Sequence, residues 1–339
     1  MSNARGLIMP MPHRKGIQLT MNFVRNLMNA LILCWLPLAA HADQNIPDQY
    51  PASLLYSKPI EVIPNVWTSI GATAPPDYDN AGHNNNLSFL VTGDGVIVIN
   101  GGGSYGLAQA LHAEIRNITD QPVKLVIDEN GQGHAMLGNC YWAEQGVTIL
   151  AHEDAAGEFK KSGHQILESA RDRLKDRADK TCVKAPDETF SDRKDVSLGS
   201  MKVEVLHLGP AHSAGDTQVW LPGEKLVIAG DMAFHERLLP IFDDTDTASW
   251  VETWENEFEE LGAVYVIPGH GHPTNMAQVR RYTHDYLVYL RGRIKEHIEA
   301  GGGLDKAFYV DQSPYRHLHT FDELATRNAG RVFQQMEFE

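Results

Sequence analysis

Three short stretches set histidine or aspartate beside glycine or proline: Leu208-Gly209-Pro210-Ala211-His212-Ser213-Ala214-Gly215-Asp216, Gly230-Asp231 and Pro268-Gly269-His270-Gly271-His272. Each follows an apolar, β-branched run, at 202–207, 226–229 and 263–267, so each is expected in a loop at the carboxyl end of a strand. Imidazole nitrogen and carboxylate oxygen are the donors that zinc or ferrous iron takes, and three loops converging on one sheet edge can supply them.

The elements that must carry these loops follow from periodicity. Segments 86–91 and 95–100 flank Thr92-Gly93-Asp94, a hairpin signature. Gly101-Gly102-Gly103-Ser104 then leads into a helical pattern with Leu107, Ala110, Leu111 and Ile115 on one face, and Val123–Asp128 reads as a buried strand. The glycine run lacks the lysine of a phosphate-binding loop and is expected to be a tight turn. A helix over 135–145, a strand over 147–151 and a charged helical stretch to residue 180 complete the first half. The second half starts again with strands at 202–207, Gln218–Leu221 and 226–229. A helix over 248–261, a strand over 263–267 and one long helix over 276–300 follow. Residues 43–76 are polar and proline-punctuated and read as irregular. Two comparable halves of alternating strands and helices predict an α/β fold, a four-layer αββα sandwich in one domain.

With 42% hydrophobic and 22% charged residues in 339, the chain is neither disordered, collagenous nor a coiled coil. Its 44 acidic against 29 basic residues, a formal net charge of −15, argue against a sequence-independent grip on nucleic acid or anionic lipid. Neutral or cationic small molecules or proteins are the expected partners. Residues 1–42 hold Arg5, Arg14, Lys15 and Arg25 but no acidic residue, then an apolar run over 27–40 and the small-residue exit Ala40-His41-Ala42. These are the parts of a secretory signal peptide, with Met21 the expected start. The run is too short for a membrane span, so 43–339 is expected as a periplasmic or secreted domain with no span after cleavage. Cleavage removes Cys34 and leaves Cys140 and Cys182; in an oxidising compartment one bridge can persist, and sequence leaves pairing and free thiols equally open.

With its motifs in this order, the chain resembles a metallo-β-lactamase-fold hydrolase from Val62 to its end. Residues 209–216 resemble the family's third metal motif, Gly230-Asp231 its bridging-aspartate motif, and Pro268-Gly269-His270-Gly271 its last histidine motif. Arg280-Arg281-Tyr282-Thr283 and Arg327-Asn328-Ala329, in a C-terminal helical extension, further resemble the periplasmic quinoprotein-relay metallohydrolases, which implies by resemblance only a protein partner in a quinoprotein system. The family's first motif, His-x-His-x-Asp-His, departs. An ungapped register fixed by Val123–Asp128 and Leu137-Gly138-Asn139 puts Asn130 and Gln132 at the first two histidines, His134 at the aspartate and Ala135 at the last histidine. A one-residue slip would put His134 at the last histidine, with Glu129 and Gly131 upstream, but needs a gap.

The resemblance implies a metal set of His134, His212, Asp231 and His270, enough for one zinc ion per chain, with ferrous iron as the alternative. Asn130 and Gln132 are weak donors and count as pocket residues, so a second metal is not expected. The implied chemistry is hydrolysis of a small ester, thioester or amide by a metal-bound hydroxide, with Asp231 and His134 as the catalytic residues and Asp231 orienting the water in place of the family's first-motif aspartate. A mononuclear iron oxidoreductase and a catalytically silent binding protein are the alternatives, and β-lactam turnover is not favoured without the first motif. His83, His152 and His272 are expected at the surface, and Tyr141 and Trp142 as packing residues.

Overall fold

Strand alternation decides which residues meet in this molecule. The computed structural model describes residues 49–339, so the expected signal peptide, with Cys34, lies outside the described residues. Strands β1 (Ile60–Ile63), β2 (Val66–Ser69), β3 (Leu87–Val91), β4 (Val96–Ile99), β5 (Val123–Asp128), β6 (Thr148–His152) and β7 (Glu188–Phe190) form one sheet in that order. A second sheet has the order β12 (Tyr265–His270), β11 (Leu226–Phe234), β10 (Gln218–Leu221), β9 (Met201–Leu206) and β8 (Arg193–Leu198). β4 through β7 run parallel, as do β11 and β12, and the other pairings are antiparallel.

Successive side chains of a strand point to opposite faces, so each apolar strand feeds two cores. In β4, Ile97 and Ile99 join Leu226 and Ile228 of β11 between the sheets. Val96 and Val98 turn outward to Leu107, Leu111 and Ile115 of helix α1 (Tyr105–Ile118). Outward Val227 and Ala229 of β11 meet a second helical layer. Helix, sheet, sheet, helix is the expected αββα sandwich.

Between β5 and β6 lie two short helices, α2 (Gly133–Met136) and α3 (Asn139–Glu144), where sequence predicts one. They part at Leu137-Gly138 because Gly138 lies against the Gly101 carbonyl, only 2.0 Å from where a Cβ would sit. The glycine run is a turn that braces this loop: Gly102 (φ +100°) donates from its N–H to the Ala135 carbonyl, and the Trp142 indole N–H donates to the Gly101 carbonyl at 2.9 Å. Helix α4 (Glu153–Leu174) matches the expected charged stretch.

In the second helical layer α5 (Thr247–Thr253) continues through one π turn and one 3₁₀ turn to Leu261. The single long helix expected at 276–300 is two, α6 (Met276–Tyr282) and α7 (His284–Glu299). The break falls at Thr283, whose hydroxyl takes the N–H and carbonyl of Phe234 at 2.9 and 3.2 Å, tying the helices to the end of β11. After α8 (Leu304–Ala307), α9 (Phe321–Met336) packs Ala329, Val332 and Phe333 into the same core as Tyr286 and Leu290, so the C-terminal segment is part of this layer. Strands β1 and β2 occupy part of the stretch read as irregular, β7 is only three residues long, and β8 alternates exposed Arg193, Asp195 and Ser197 with half-buried Lys194, Val196 and Leu198, an edge-strand pattern that sequence reading passed over.

Cys140 and Cys182 form a disulfide with Cα atoms 5.9 Å apart, settling a pairing that sequence leaves open. It closes a loop with a sequence separation of 42 around α3, β6 and α4. Loop-closure entropy predicts that Cys182→Ala lowers the unfolding free energy by about 4 kcal/mol in non-reducing urea titrations, and a loss under about 1 kcal/mol would contradict that role.

Candidate metal centre

The carboxyl ends of β5, β9, β11 and β12 meet at one rim of the sandwich, and there the residues singled out by sequence converge. Gly230 and Asp231 lie within β11, which runs on to Phe234, and Pro268-Gly269-His270 completes β12; neither motif is the loop expected. Rigid strands thus carry two of the site's side chains.

Asp231, 1% exposed, is the centre. Its Oδ1 lies 3.2 Å from His270 Nε2, and its Oδ2 lies 3.6 Å from His134 Nε2 and 3.7 Å from His212 Nε2. All three imidazoles therefore turn a ring nitrogen toward one carboxylate. His270 is fixed from behind: Nδ1 faces the Asn84 carbonyl, and the Phe234 ring stacks on it at 4.9 Å. His212 sits among Phe234, Phe242 and Trp250, and the Thr245 hydroxyl donates to its carbonyl at 2.8 Å.

Sequence reasoning passes over Glu129 in the favoured register, yet it belongs to the same cluster. Ligand atoms of Glu129, His134 and Asp231 all lie within 4.8 Å of one another. Glu129 Oε1 is 3.1 Å from His134 Nε2 and accepts from Asn100 Nδ2 at 2.8 Å, while its Oε2 is buried with no hydrogen-bond partner. The reciprocal bond from Glu129 N–H to Asn100 Oδ1 fixes the residue at both ends. Room for the two carboxylates is made by glycine: a Cβ on Gly230 would lie 2.0 Å from Glu129 Oε2, and one on Gly269 2.5 Å from Asp231 Oδ1.

Asn130 is present but engaged. Its Nδ2 donates to Asp231 Oδ2 at 3.2 Å and its Oδ1 accepts from the Gln132 N–H at 3.0 Å, so its oxygen is turned to backbone. Gln132 lines the adjoining cavity of about 440 Å³, as do His134, His212, Asp231 and His270. Two expectations of surface histidines fail. His83 is fully buried, its Nδ1 accepting from the Tyr56 N–H at 2.7 Å, and burial lowers its pKa to about 3. His152, 3% exposed, stacks on His207 at 4.0 Å because the end of β6 turns inward there. His272 is half-buried and paired with Glu236 at 2.8 Å. Trp142 is buried as expected, and Tyr141 takes a 2.7 Å hydrogen bond with His112 Nδ1.

The electrostatics follow from two acids enclosed together. Burial and the charge of Asp231 raise the Glu129 pKa. Burial works against a charged His134, but the charges of Asp231 and Glu129 outweigh it and raise its pKa. Burial also opposes the Asp231 carboxylate, and the surrounding imidazoles reverse that and hold it below the usual carboxylate range. Burial lowers His212 and takes His270 to about 4. Three nitrogens and the Asp231 carboxylate, whose Oδ1 is buried without a hydrogen-bond partner, fit a divalent cation: it would offset the charge of both carboxylates and leave Glu129 Oε2, also unpartnered, free beside it.

Two expectations follow. Gly230→Ala drives the Glu129 carboxylate away and lowers zinc affinity about 10- to 100-fold in calorimetry with the fold retained by circular dichroism, whereas unchanged affinity would remove Glu129 from the cluster. Because His134 and Glu129 hold protons more tightly in the metal-free chain, zinc binding releases protons and tightens as pH rises from 6 to 8; a heat of binding independent of the buffer would contradict this.

Known proteins share this architecture. The family model described as the metallo-beta-lactamase superfamily matches residues 138–270, beginning just after the 129–135 stretch. A metallo-beta-lactamase type 2 from Bacteroides fragilis is 33% identical over 89 residues, 25% of this chain and 36% of that protein. A linear primary-alkylsulfatase from a Pseudomonas species is 22% identical over 235 residues, 58% of this chain and 44% of that protein. The chain thus spans less than half the length of these curated relatives. Among solved structures, a metallo-beta-lactamase from Pontibacter korlensis superposes with a TM-score of 0.54 at 21% identity, over 68% of this chain and 98% of that one. The DIM-1 metallo-beta-lactamase exposed to ceftazidime gives 0.54 at 15% identity, over 68% and 96%. The sheet order, the helical layers and these likenesses agree: the chain has the metallo-β-lactamase fold, with a candidate ligand cluster at the rim where its strands end.

Proposed function

We propose that this chain is a metal-dependent hydrolase that holds a single divalent ion, zinc by its donor set, between Asp231, His134, His212 and His270, with Glu129 beside it, and acts on a small ester, thioester or amide. The observation that carries the reading is the buried Asp231 carboxylate faced by three imidazole nitrogens at 3.2 to 3.7 Å, with Glu129 beside it. A divalent ion there would supply Lewis acidity, polarising a carbonyl and lowering the pKa of a water toward about 7.

The chain's own residues do the rest. Asp231, fixed by Asn130 and the imidazoles, accepts a hydrogen bond from water and sets its direction. Glu129 Oε2, the oxygen without a partner, receives the proton released as the water oxygen bonds to the acyl carbon. His270 and His212, held in apolar rings and with low pKa values, stay neutral at pH 7. The leaving group takes up the proton as the carbon–heteroatom bond breaks. A single ion is supported by Asn130, whose amide oxygen is committed to the Gln132 N–H and is not offered to a second one.

Export to the periplasm or outside the cell belongs to the same proposal. It is supported by the Cys140–Cys182 disulfide, which persists in oxidising surroundings, and by the character of residues 1–42. Among the described residues no helix is long and apolar enough to cross a membrane. The narrower likeness to quinoprotein-relay metallohydrolases rests on 280–283 and 327–329. There Asn328 ties α9 to the Ile241 N–H and the Leu239 carbonyl at 3.0 and 2.8 Å, and Arg327 lines the cavity.

Elemental analysis of chain purified without added metal, paired with an ester, thioester and amide panel, tests the reading. About one zinc per chain is expected, with hydrolysis lost on chelation and reduced more than about 100-fold by Asp231→Ala. Zinc at 100 times its dissociation constant should add about 2.7 kcal/mol to unfolding. Less than a tenth of an ion per chain, or activity surviving in Asp231→Ala, would overturn the proposal; iron in place of zinc would transfer it to oxygen chemistry.

A further inference from the structure

The cluster draws its side chains from both sheets, so the two rims must stand at a fixed distance from each other. Glu129 and His134 follow β5 of the first sheet, whereas Asp231 and His270 belong to β11 and β12 of the second. A metal site tolerates errors of only about 0.2 Å in its ligand distances. The segment that spans the gap is Gly82-His83-Asn84-Asn85-Asn86, which leads into β3 of the first sheet and bonds to β12 of the second.

Asn86 is 3% exposed, and its carboxamide is fully engaged. Nδ2 donates to the Pro268 carbonyl at 2.8 Å and to the Gly271 carbonyl at 2.7 Å, the residues on either side of Gly269-His270. Its backbone N–H donates to the Gly269 carbonyl at 2.7 Å, and Oδ1 accepts from the Gly71 N–H at 3.3 Å. One residue thus takes three carbonyls of the 268–271 segment. Those carbonyls need it, because β12 is the outermost strand of its sheet and Gly271 (φ +88°) turns the chain away directly after His270.

The same segment reaches the groups on both sides of the cluster. The Asn84 carbonyl faces His270 Nδ1, which makes Nδ1 the protonated nitrogen and leaves Nε2 toward Asp231. The buried Arg237 guanidinium, 3.4 Å from Nδ1, offers that nitrogen no acceptor. On the other side the Asn86 carbonyl accepts from Asn100 Nδ2 at 3.4 Å, and the same Nδ2 donates to Glu129 Oε1 at 2.8 Å. A continuous path of hydrogen bonds therefore runs from Glu129 through Asn100 and Asn86 to both flanks of His270.

We propose that Asn86 is a positioning residue of the metal centre: its carboxamide sets the His270 imidazole at the distance from the first-sheet groups that one shared cation requires. The statement rests on the metal centre of the proposed function and not on hydrolysis. Alanine at 86 removes every side-chain bond. Aspartate keeps the size and the Oδ1 acceptor but turns a second oxygen toward two carbonyls.

Zinc titrations and cobalt(II) visible spectra of the full chain, Asn86→Ala, Asn86→Asp and Ile115→Ala test this. Ile115 is fully buried near the far end of α1 and serves as the control for lost stability alone. Both Asn86 variants should bind zinc about 10- to 100-fold more weakly and shift the cobalt bands, while Ile115→Ala lowers Tm and keeps affinity and spectrum. A lowered Tm in the Asn86 variants with affinity within about twofold of the unaltered chain and an unmoved spectrum would leave Asn86 a structural residue and overturn the proposal. In the unaltered chain, which depends on no variant folding, zinc loading should shift the NMR signals of the Asn86 side-chain amide; signals that stay in place overturn it too. A chain that binds zinc through Asn86 yet hydrolyses nothing overturns the hydrolase reading alone. Failure of the unaltered chain to bind zinc overturns the metal centre and this inference with it.

Discussion

Two carboxylates enclosed side by side in a protein interior repel each other and lose their water, and such a pair persists only where positive charge or protons offset it. Asp231 and Glu129 are that pair. Three imidazoles surround Asp231, Asn100 holds Glu129 at both backbone and side chain, and glycines at 230 and 269 leave the space. The architecture beneath them is arranged to keep this cluster rigid. β11 and β12 carry Asp231 and His270 as parallel neighbours, and Thr283 and Asn328 anchor the strand and the segment that follows it to the outer helices.

The fold sets what the site can be. Side-chain alternation along β4 and β11 divides residues between an inter-sheet core and two outer cores, so the strand ends cannot shift register without exposing one of them. A cluster made from the ends of four such strands inherits that rigidity, which suits a centre whose ligands must stand ready before a cation arrives. The cavity beside the cluster is lined by Arg173, Arg237 and Arg327 on one side and by Ile166, Leu174, Phe242 and Leu324.

Much of this was legible in the sequence, and the reasons differ by residue. His212, Asp231 and His270 declared themselves by glycine and proline beside apolar runs, although only the His212 segment is a loop, and Gly230 and Gly269 lie within strands where they leave room for carboxylates. The sandwich was legible because apolar alternation changes period between strand and helix. Glu129 was not, since its importance comes from spatial proximity to His134 and Asp231 through the empty face of Gly230, a contact between residues 101 positions apart. Arg237 was hidden for a similar reason: exposure cannot be read from a charged residue's type, and an arginine is by default at the surface. His83 and His152 were misplaced by the same default. Helix breaks at Gly138 and Thr283 escaped because each is imposed by tertiary contact, with the Gly101 carbonyl and with Phe234, inside otherwise continuous helical patterns.

The measurement that bears most directly on the enclosed pair of carboxylates is anomalous X-ray scattering at the zinc edge from crystals of the full chain grown with zinc. One peak is expected per molecule, about 2.0 to 2.2 Å from oxygens of Asp231 and from nitrogens of the imidazoles around it, with Glu129 turned toward it. A map with no peak at that rim, or with one lying away from Asp231, would contradict the account.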